Sequence, residues 1–479
     1  MKMPKIGMTE KELFERLDAF QADDINWRSG RVFGYVFDPG KPAMEIGKKV
    51  YSRFLTENAL DFSVFPSLFR FETELVSLLS THLNGDENVV GNFTSGGTES
   101  IMLAVKAARD HFREKNPDVK TPEMILPITA HAAFHKAAHY LDVKVVPSAV
   151  DDAFKADVAA VKRAITPNTA LIVGSAPSYA HGVVDPIPEM AEEAREKNIL
   201  FHVDACVGGF MLPYFKRLGE AIPDFDFSVP GVTSISVDLH KYAYTPKGAS
   251  LVLYRDKSIR KHQIFACSHW TGYTIINNAV QSSRSGGPMA AAWAVLHYIG
   301  DDGYLEIARK KIEATKKIIA GIEKHPDLRL MTWPDICMIS FTSDTVNIFH
   351  IIDEMNEMGW YIQPALTFGN SKENIHLSIN LSNVGWEEAL LQDLYRCVEK
   401  AKTMPSGALA GLVKEEIGNL EPDALDDAAV SQLLEAAGVS EASLPGRMAD
   451  INEVLNALPS PLREKLLIGY INDLFTIKG

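Results

Sequence analysis

Residues 199–210 read ILFHVDACVGGF, and residues 232–254 read VTSISVDLHKYAYTPKGASLVLY. Each stretch opens on a short apolar run that ends on charge. Asp204 closes the first run, and Asp238-Leu239-His240-Lys241 follows the second. Short apolar runs of this kind fit strands buried on both faces of a parallel sheet. In such a sheet ligands bind beyond the carboxyl ends of the strands. An aspartate there is costly to bury without a partner. Asp204 could be a structural cap, or it could face a protonated heterocyclic nitrogen. A lysine at the floor of the same crevice can lose its proton and form a Schiff base. Lys241 stands at such a strand end, 37 residues after Asp204.

The flanking sequence repeats the pattern. Apolar runs at 124–128, 169–174 and 249–254 alternate with amphipathic stretches at 100–112, 157–164 and 188–197. This alternation predicts an α/β fold, with a mostly parallel sheet between helices over residues 73–300. Residues 301–403 read as a smaller α/β domain, with a helix at 304–322, strands near 336–341 and 375–379, and a helix at 386–401. Residues 1–72 predict an N-terminal helix and an arm. Thr9 and Glu12 have capping-box spacing, and Leu13, Leu17 and Phe20 share a face. Residues 404–479 predict a helical extension for packing or oligomer contact, its last helix striped by Leu462, Leu466, Leu467, Tyr470, Ile471 and Leu474.

Two more strand ends carry polar groups. Thr94-Ser95-Gly96-Gly97-Thr98-Glu99-Ser100 leads into a helix. Adjacent glycines admit a ligand to the backbone, and the first N–H groups of a helix favour an anion. The plain alternative is a glycine-rich helix entry, and no lysine follows to make a Walker motif. His131 follows the run at 124–129 and opens an HxxxHxxxH pattern with His135 and His139. The glutamate of HExxH is missing, so stacking of His131 on a planar ligand is preferred to a metal site. Lysine, aspartate, imidazole and helix N-terminus, each at a strand end, are the parts of a pyridoxal phosphate site.

Composition sets the outer bounds. The chain has 479 residues, a formal charge of −14, 46% hydrophobic and 23% charged residues, which is globular and too acidic for a general nucleic-acid or polybasic membrane binder. No run approaches the roughly 18 apolar residues of a membrane span. The first residues lack the apolar core of a signal peptide. Four separate cysteines, never as CxxC, exclude a disulfide scaffold and a four-thiolate zinc site. The expectation is a soluble, cytoplasmic protein.

With these motifs the chain resembles the fold-type-I pyridoxal phosphate enzymes of the group II decarboxylase superfamily, and within it the sphingosine-1-phosphate lyases. The likeness is carried by TSGGTES (94–100), TAHAAFHKAAHY (129–140), GSAPSYAHGVVDPI (174–187), HVDACVGGF (202–210), the 231–254 stretch and SSRSGG (282–287). It implies that Lys241 is the aldimine lysine, that Asp204 pairs with the pyridine nitrogen and that His131 stacks on the ring. It also implies that Gly96, Gly97 and Thr98 hold the cofactor phosphate, with His240 beside them. Tyr179 would line the substrate side, and Lys247 would stand near a substrate phosphate. The SSRSGG segment, with Gly286, would reach a neighbouring subunit's cofactor phosphate, so a homodimer is implied.

The departures bear on substrate. Where these lyases carry a tyrosine and a histidine thought to grip the substrate phosphate, this chain has Phe33 and Asp61. A carboxylate at the second position should repel a phosphate; Arg31, Tyr35 and Arg70 are the candidates to compensate. The resemblance implies a carbon–carbon lyase that cleaves a phosphorylated sphingoid base into a long-chain aldehyde and phosphoethanolamine. The alternative is an amino-acid decarboxylase on the same scaffold.

Overall fold

The computed structural model describes residues 3–405, 407, 411 and 446–476. Helix α1 (Glu10–Phe20) starts on a reciprocal Thr9–Glu12 capping box and buries none of its residues in this chain. Helices α2 (Lys41–Arg53) and α3 (Pro66–His82) each carry proline in the first turn, where a missing N–H removes no helix bond.

The large sheet comprises β1 (Val90–Thr94), β2 (Glu123–Pro127), β3 (Lys144–Ser148), β4 (Thr169–Ser175), β5 (Leu200–Asp204), β6 (Ser234–Val237) and β7 (Ser250–Tyr254). Between its strands run α4 (Gly97–Lys115), α5 (Ala133–Leu141), α6 (Val158–Ala164), α7 (Ile187–Glu196) and α8 (Leu212–Arg217). The strand order is β1-β7-β6-β5-β4-β2-β3. Strands β6 through β3 pair in parallel, whereas β7 is antiparallel to both neighbours. Residues 238–249 link β6 to β7 without a helix, a connection that an antiparallel pair accepts.

Apolar runs disclose β2, β4, β5, β6 and β7 to within two residues. Strands β1 and β3 escape that reading for physical reasons. β3 is an edge strand, largely exposed, with Pro147 in it. β1 contains Gly91 and Asn92, and a Cβ at Gly91 would lie 2.5 Å from Leu253 of the adjoining strand. By contrast β4, β6 and β7 are buried at every position, as strands covered on both faces should be.

After β7 come α9 (Lys257–Arg260), a hairpin of β8 (Phe265–Cys267) and β9 (Ile275–Asn277), and α10 (Gly287–Lys324), which is broken at Gly300 where φ is +67°. A four-stranded antiparallel sheet follows, made of β10 (Arg329–Leu330), β11 (Met338–Thr342), β12 (Gln363–Ala365) and β13 (Asn374–Ser378) in the order β10-β11-β13-β12. Helices α11 (Ile348–Glu357) and α12 (Glu387–Ala401) pack with it. The described chain ends in α13 (Ala449–Ala457) and α14 (Ser460–Leu474). Asp353 of α11 accepts the Met448 and Ala449 N–H groups at 2.9 and 3.0 Å, which caps α13. Among the described residues no helix is long and apolar enough to cross a membrane. The α/β fold class expected from sequence is the one observed.

Lys311 of α10 is fully buried, its ammonium 3.1 Å from the centre of the Tyr242 ring. Burial lowers its pKa to about 8 from the ordinary 10.5, with Cys337 opposing the shift. Between these two pH values the unfolded chain binds more protons than the folded one, so stability rises with pH across that window. Lys311→Met removes this dependence. The stability of the wild type relative to the variant, from urea melts, is expected to climb from pH 7 to 10 by up to about 3 kcal/mol. A flat difference would refute the assignment.

Candidate active site

The carboxyl ends of β4, β5 and β6 meet the start of α4 around one cavity of about 390 Å³. Gly96, Gly97, Thr98, His131, Tyr179, Asp204, His240 and Lys241 all line it. Residues read separately from four strand ends are therefore brought together by the fold.

Its floor is electrostatic. Lys241 Nζ lies 3.0 Å from Asp238 Oδ2, and the carboxylate is only 2% exposed. Burial opposes the charge on the ammonium. Asp238, with Cys206 and Asp204 behind it, outweighs that penalty and holds the lysine pKa above its ordinary value. His240 Nε2 stands 3.8 Å from the same oxygen, while its Nδ1 accepts the Ala249 N–H at 3.2 Å. Its pKa is lowered, first by burial and then by Lys247 and Lys241 against the pull of Asp238.

Asp238 also explains Gly97. A Cβ there would meet the two Asp238 oxygens at 2.7 and 2.9 Å and Cys206 Sγ at 2.9 Å. At Gly96 the backbone is extended, and a Cβ would touch His240 at 3.4 Å. Gly96 caps α4 without a side chain, so the first-turn N–H groups of Gly97, Thr98 and Glu99 face the cavity without helical partners. Glu99 instead turns back, accepting the Ser95 N–H and hydroxyl at 2.6 and 2.7 Å and the Val280 N–H at 2.7 Å. An open helix start of this kind suits a phosphate.

Asp204 Oδ1 accepts the Cys206 N–H at 3.1 Å, whereas no hydrogen bond to Oδ2 is found among the described residues. Behind it His202 is held between Ser234 Oγ at 2.9 Å and Ser236 Oγ at 3.2 Å. Burial lowers that imidazole's pKa to about 4, so it is neutral at neutral pH. Oδ2 is thus left for a partner in the cavity, and a protonated pyridine nitrogen would supply one. The thiol of Cys206 is pushed far up by burial and by Asp204 and Asp238, which makes it inert. His131 is anchored through Nδ1, which accepts the Ala133 N–H at 3.1 Å. His135 and His139 lie exposed on α5, away from the cavity.

The substrate side is completed from the small sheet. Tyr179 donates to Gln363 Oε1 at 2.7 Å, and its ring lies 4.6 Å from that of His376. Burial raises the phenol's pKa, so it carries its proton at neutral pH. Burial also lowers the His376 pKa to about 4. Lys247 Nζ donates to the Tyr35 carbonyl at 3.1 Å and stands 5.0 Å over the Phe37 ring. Its pKa is lowered by burial and by Lys241. Tyr35, at φ +57°, is exposed, its ring tilted against that of Tyr361 with centres 5.8 Å apart.

Other expected positions sit elsewhere. Phe33 is completely buried beside Trp360. Arg31 is occupied between Trp360 and Trp386 and by the Met358 carbonyl. Arg70 is exposed on α3. Asp61 is exposed and closes a turn through Ser63 at 2.8 and 2.6 Å. Gly286 packs against Leu68 and donates to the Glu57 carbonyl at 2.8 Å. Neither Asp61 nor Gly286 lines the cavity of its own chain.

A lysine paired to a buried carboxylate, a second carboxylate with a free oxygen and an open helix start define an α/β enzyme site built for a phosphorylated heterocyclic aldehyde. Residues 44–344 match the model of the pyridoxal-dependent decarboxylase conserved domain, and the chain belongs to that family. It is a lyase that uses pyridoxal phosphate. A second model, for the C-terminal HTH domain of pyridoxal-dependent enzymes, matches residues 408–473. The C-terminal extension, read from sequence only as a helical segment for packing or oligomer contact, thus also matches a model drawn from pyridoxal-dependent enzymes. The chain is similar to the sphingosine-1-phosphate lyase of Dictyostelium discoideum, 40% identical over 88% of this chain and 76% of that protein. It is 33% identical to a probable L-aspartate decarboxylase of Pyrococcus furiosus, over 76% of this chain and 95% of that one. Among solved structures, the sphingosine-1-phosphate lyase of Burkholderia pseudomallei superposes with a TM-score of 0.80 at 35% identity, covering 84% of this chain and 93% of that one.

Sequence reasoning passed over Asp238, Gln363 and His376 as site residues. Asp238 had a signal, since it precedes Lys241 by three residues in one loop. Gln363 and His376 had none, because only the fold sets the small sheet against Tyr179.

Lys241→Ala is expected to lose the visible absorbance of bound cofactor and its borohydride-fixable attachment, as read by mass spectrometry. A retained covalent link would remove Lys241 from this role. Asp204→Ala is expected to keep the fold by circular dichroism while turnover falls by several orders of magnitude. Near-normal turnover would count against the pairing with the pyridine nitrogen.

Proposed function

We propose that the protein cleaves a phosphorylated sphingoid base, of the sphingosine-1-phosphate type, into a long-chain aldehyde and phosphoethanolamine. The observation that carries this reading is the 40% identity to a protein named for that reaction, sustained over 88% of the chain. Bound pyridoxal phosphate supplies an electron sink for the carbanion left when a bond to the amine-bearing carbon breaks.

The chain's own groups have separate tasks. Gly96, Gly97 and Thr98 bind the cofactor phosphate on the start of α4, with His240 at its side. Asp204 Oδ2 would keep the ring nitrogen protonated, and His131 would cover the ring. Lys241 would hold the cofactor through Nζ and move protons at that atom. Tyr179, a protonated phenol held by Gln363, orients the substrate hydroxyl whose proton must leave in a retro-aldol cleavage. Lys247 and Tyr35 stand where an anionic headgroup would enter. The buried Phe33 cannot offer a polar group, and Tyr35, two residues on, presents a phenol instead.

We read the working form as a cytoplasmic homodimer acting on a small phosphorylated lipid amine. Asp61 is exposed and does not line its own chain's cavity, which suits a residue that completes a second chain's site. The exposed apolar side chains of Phe62, Val64 and Phe69 lie in the same region and suit a covered surface. A second reading, an amino-acid decarboxylase, is favoured by the likeness to the Pyrococcus protein and by the loss of the phenol at position 33.

Product analysis separates the two. Cofactor-loaded protein incubated with a phosphorylated sphingoid base is expected to yield aldehyde and phosphoethanolamine by mass spectrometry. Release of CO₂ and a primary amine from an amino-acid panel, with no aldehyde, would establish the decarboxylase instead. Lys247→Met is expected to raise KM for the phosphorylated substrate at least about tenfold with a smaller change in kcat, consistent with a lost charge-assisted contact. An unchanged KM would displace Lys247 from the headgroup.

A further inference from the structure

We propose that the outer end of α4 carries a zinc site formed by His111, Glu114 and His262. His111 and Glu114 are three residues apart on α4 and so share a face. His262 arrives from the segment after α9, which packs on that face. The two imidazoles meet edge to face with ring centres 5.2 Å apart.

The donor geometry is close to that of a bound ion. Two ligands held at about 2.0–2.1 Å by a tetrahedral zinc lie about 3.3 Å from each other. His262 Nε2 and Glu114 Oε2 are 3.4 Å apart. One ligand atom from each of the three residues falls within 4.8 Å of the others, so a modest rotation of His111 completes the set.

An independent observation points to a missing ligand. His111 Nδ1 and His262 Nε2 are both buried and have no hydrogen-bond partner. Buried polar nitrogens are normally satisfied, and two orphaned ones beside a carboxylate are uncommon.

One lysine competes for the carboxylate: Lys261 Nζ lies 3.1 and 3.3 Å from the Glu114 oxygens, on an exposed stem that can swing into solvent. Lys115 Nζ lies 3.1 Å from His111 Nε2, the ring nitrogen other than the unpartnered Nδ1. Two imidazoles and one carboxylate select zinc over magnesium or calcium, with water as a fourth ligand. His111 is 14 residues beyond Gly97 on α4, about 21 Å along the axis, so the site is separate from the cofactor cavity. An ion here would clasp α4 to the strand of chain leading into Gln263, which is itself buried and bonded to Asn92 at 3.1 Å.

The test uses cofactor-loaded protein stripped with EDTA and titrated with zinc chloride by calorimetry, with magnesium chloride as control. The expected result is one zinc per chain in the low-micromolar range or tighter, no magnesium, and a zinc-dependent rise in melting temperature. His262→Gln should bind one zinc fewer and lose the rise. The same stoichiometry in His262→Gln as in wild type, or no zinc retained by wild type, would overturn the site. Lys261→Met leaves all three ligands in place and removes a competing cation, so it should bind zinc several-fold tighter. Unchanged or weaker affinity in that variant would equally sink the proposal.

Discussion

The pairing of Lys241 with Asp238 at 3.0 Å organises the molecule around it. Asp238 is buried at the end of β6, where an unpaired carboxylate could not be tolerated. Its position behind the start of α4 forbids a side chain at residue 97, which leaves the helix N-terminus open to an anion. It also draws His240 to the side of the same opening. Charge pairing at one strand end thus places the nucleophilic nitrogen and shapes the phosphate cradle at once. Among the forces on Lys241, burial and carboxylate attraction oppose each other, and the carboxylates win.

The second half of the site depends on the small sheet. Tyr179 leaves β4 in a loop stabilised from below by Asp185, which accepts the Ser175 and Ala156 N–H groups at 2.8 Å each. Burial raises the Asp185 pKa to about 6 despite those bonds. The phenol itself is held by Gln363 and His376, which belong to β12 and β13. The floor of the cavity and the surroundings of Tyr179 are therefore set by different sheets.

How legible each part was follows from the range of the forces involved. Lys241, Asp204 and the Gly96-Gly97 turn were readable because each sits at the end of a strand whose burial is written in its own residues. β3 was not, since an edge strand half in solvent carries no continuous apolar run. Tyr35 and Phe33 show a finer limit. Two aromatic residues two positions apart look interchangeable in sequence, yet one is sealed against Trp360 and the other, at φ +57°, is turned out beside Tyr361.

Local sequence determined the class of fold, the order of strands along the chain and the chemical parts of the cofactor site, because strand burial and helix starts are short-range properties. Tertiary structure alone decided that β7 runs backwards, that Asp238 rather than solvent meets Lys241, and that Gln363 and His376 hold Tyr179. It also decided which of two neighbouring aromatics is exposed. Those outcomes rest on contacts between residues far apart in the chain, 184 positions in the case of Tyr179 and Gln363. Only packing of the whole chain can bring such groups within hydrogen-bonding distance.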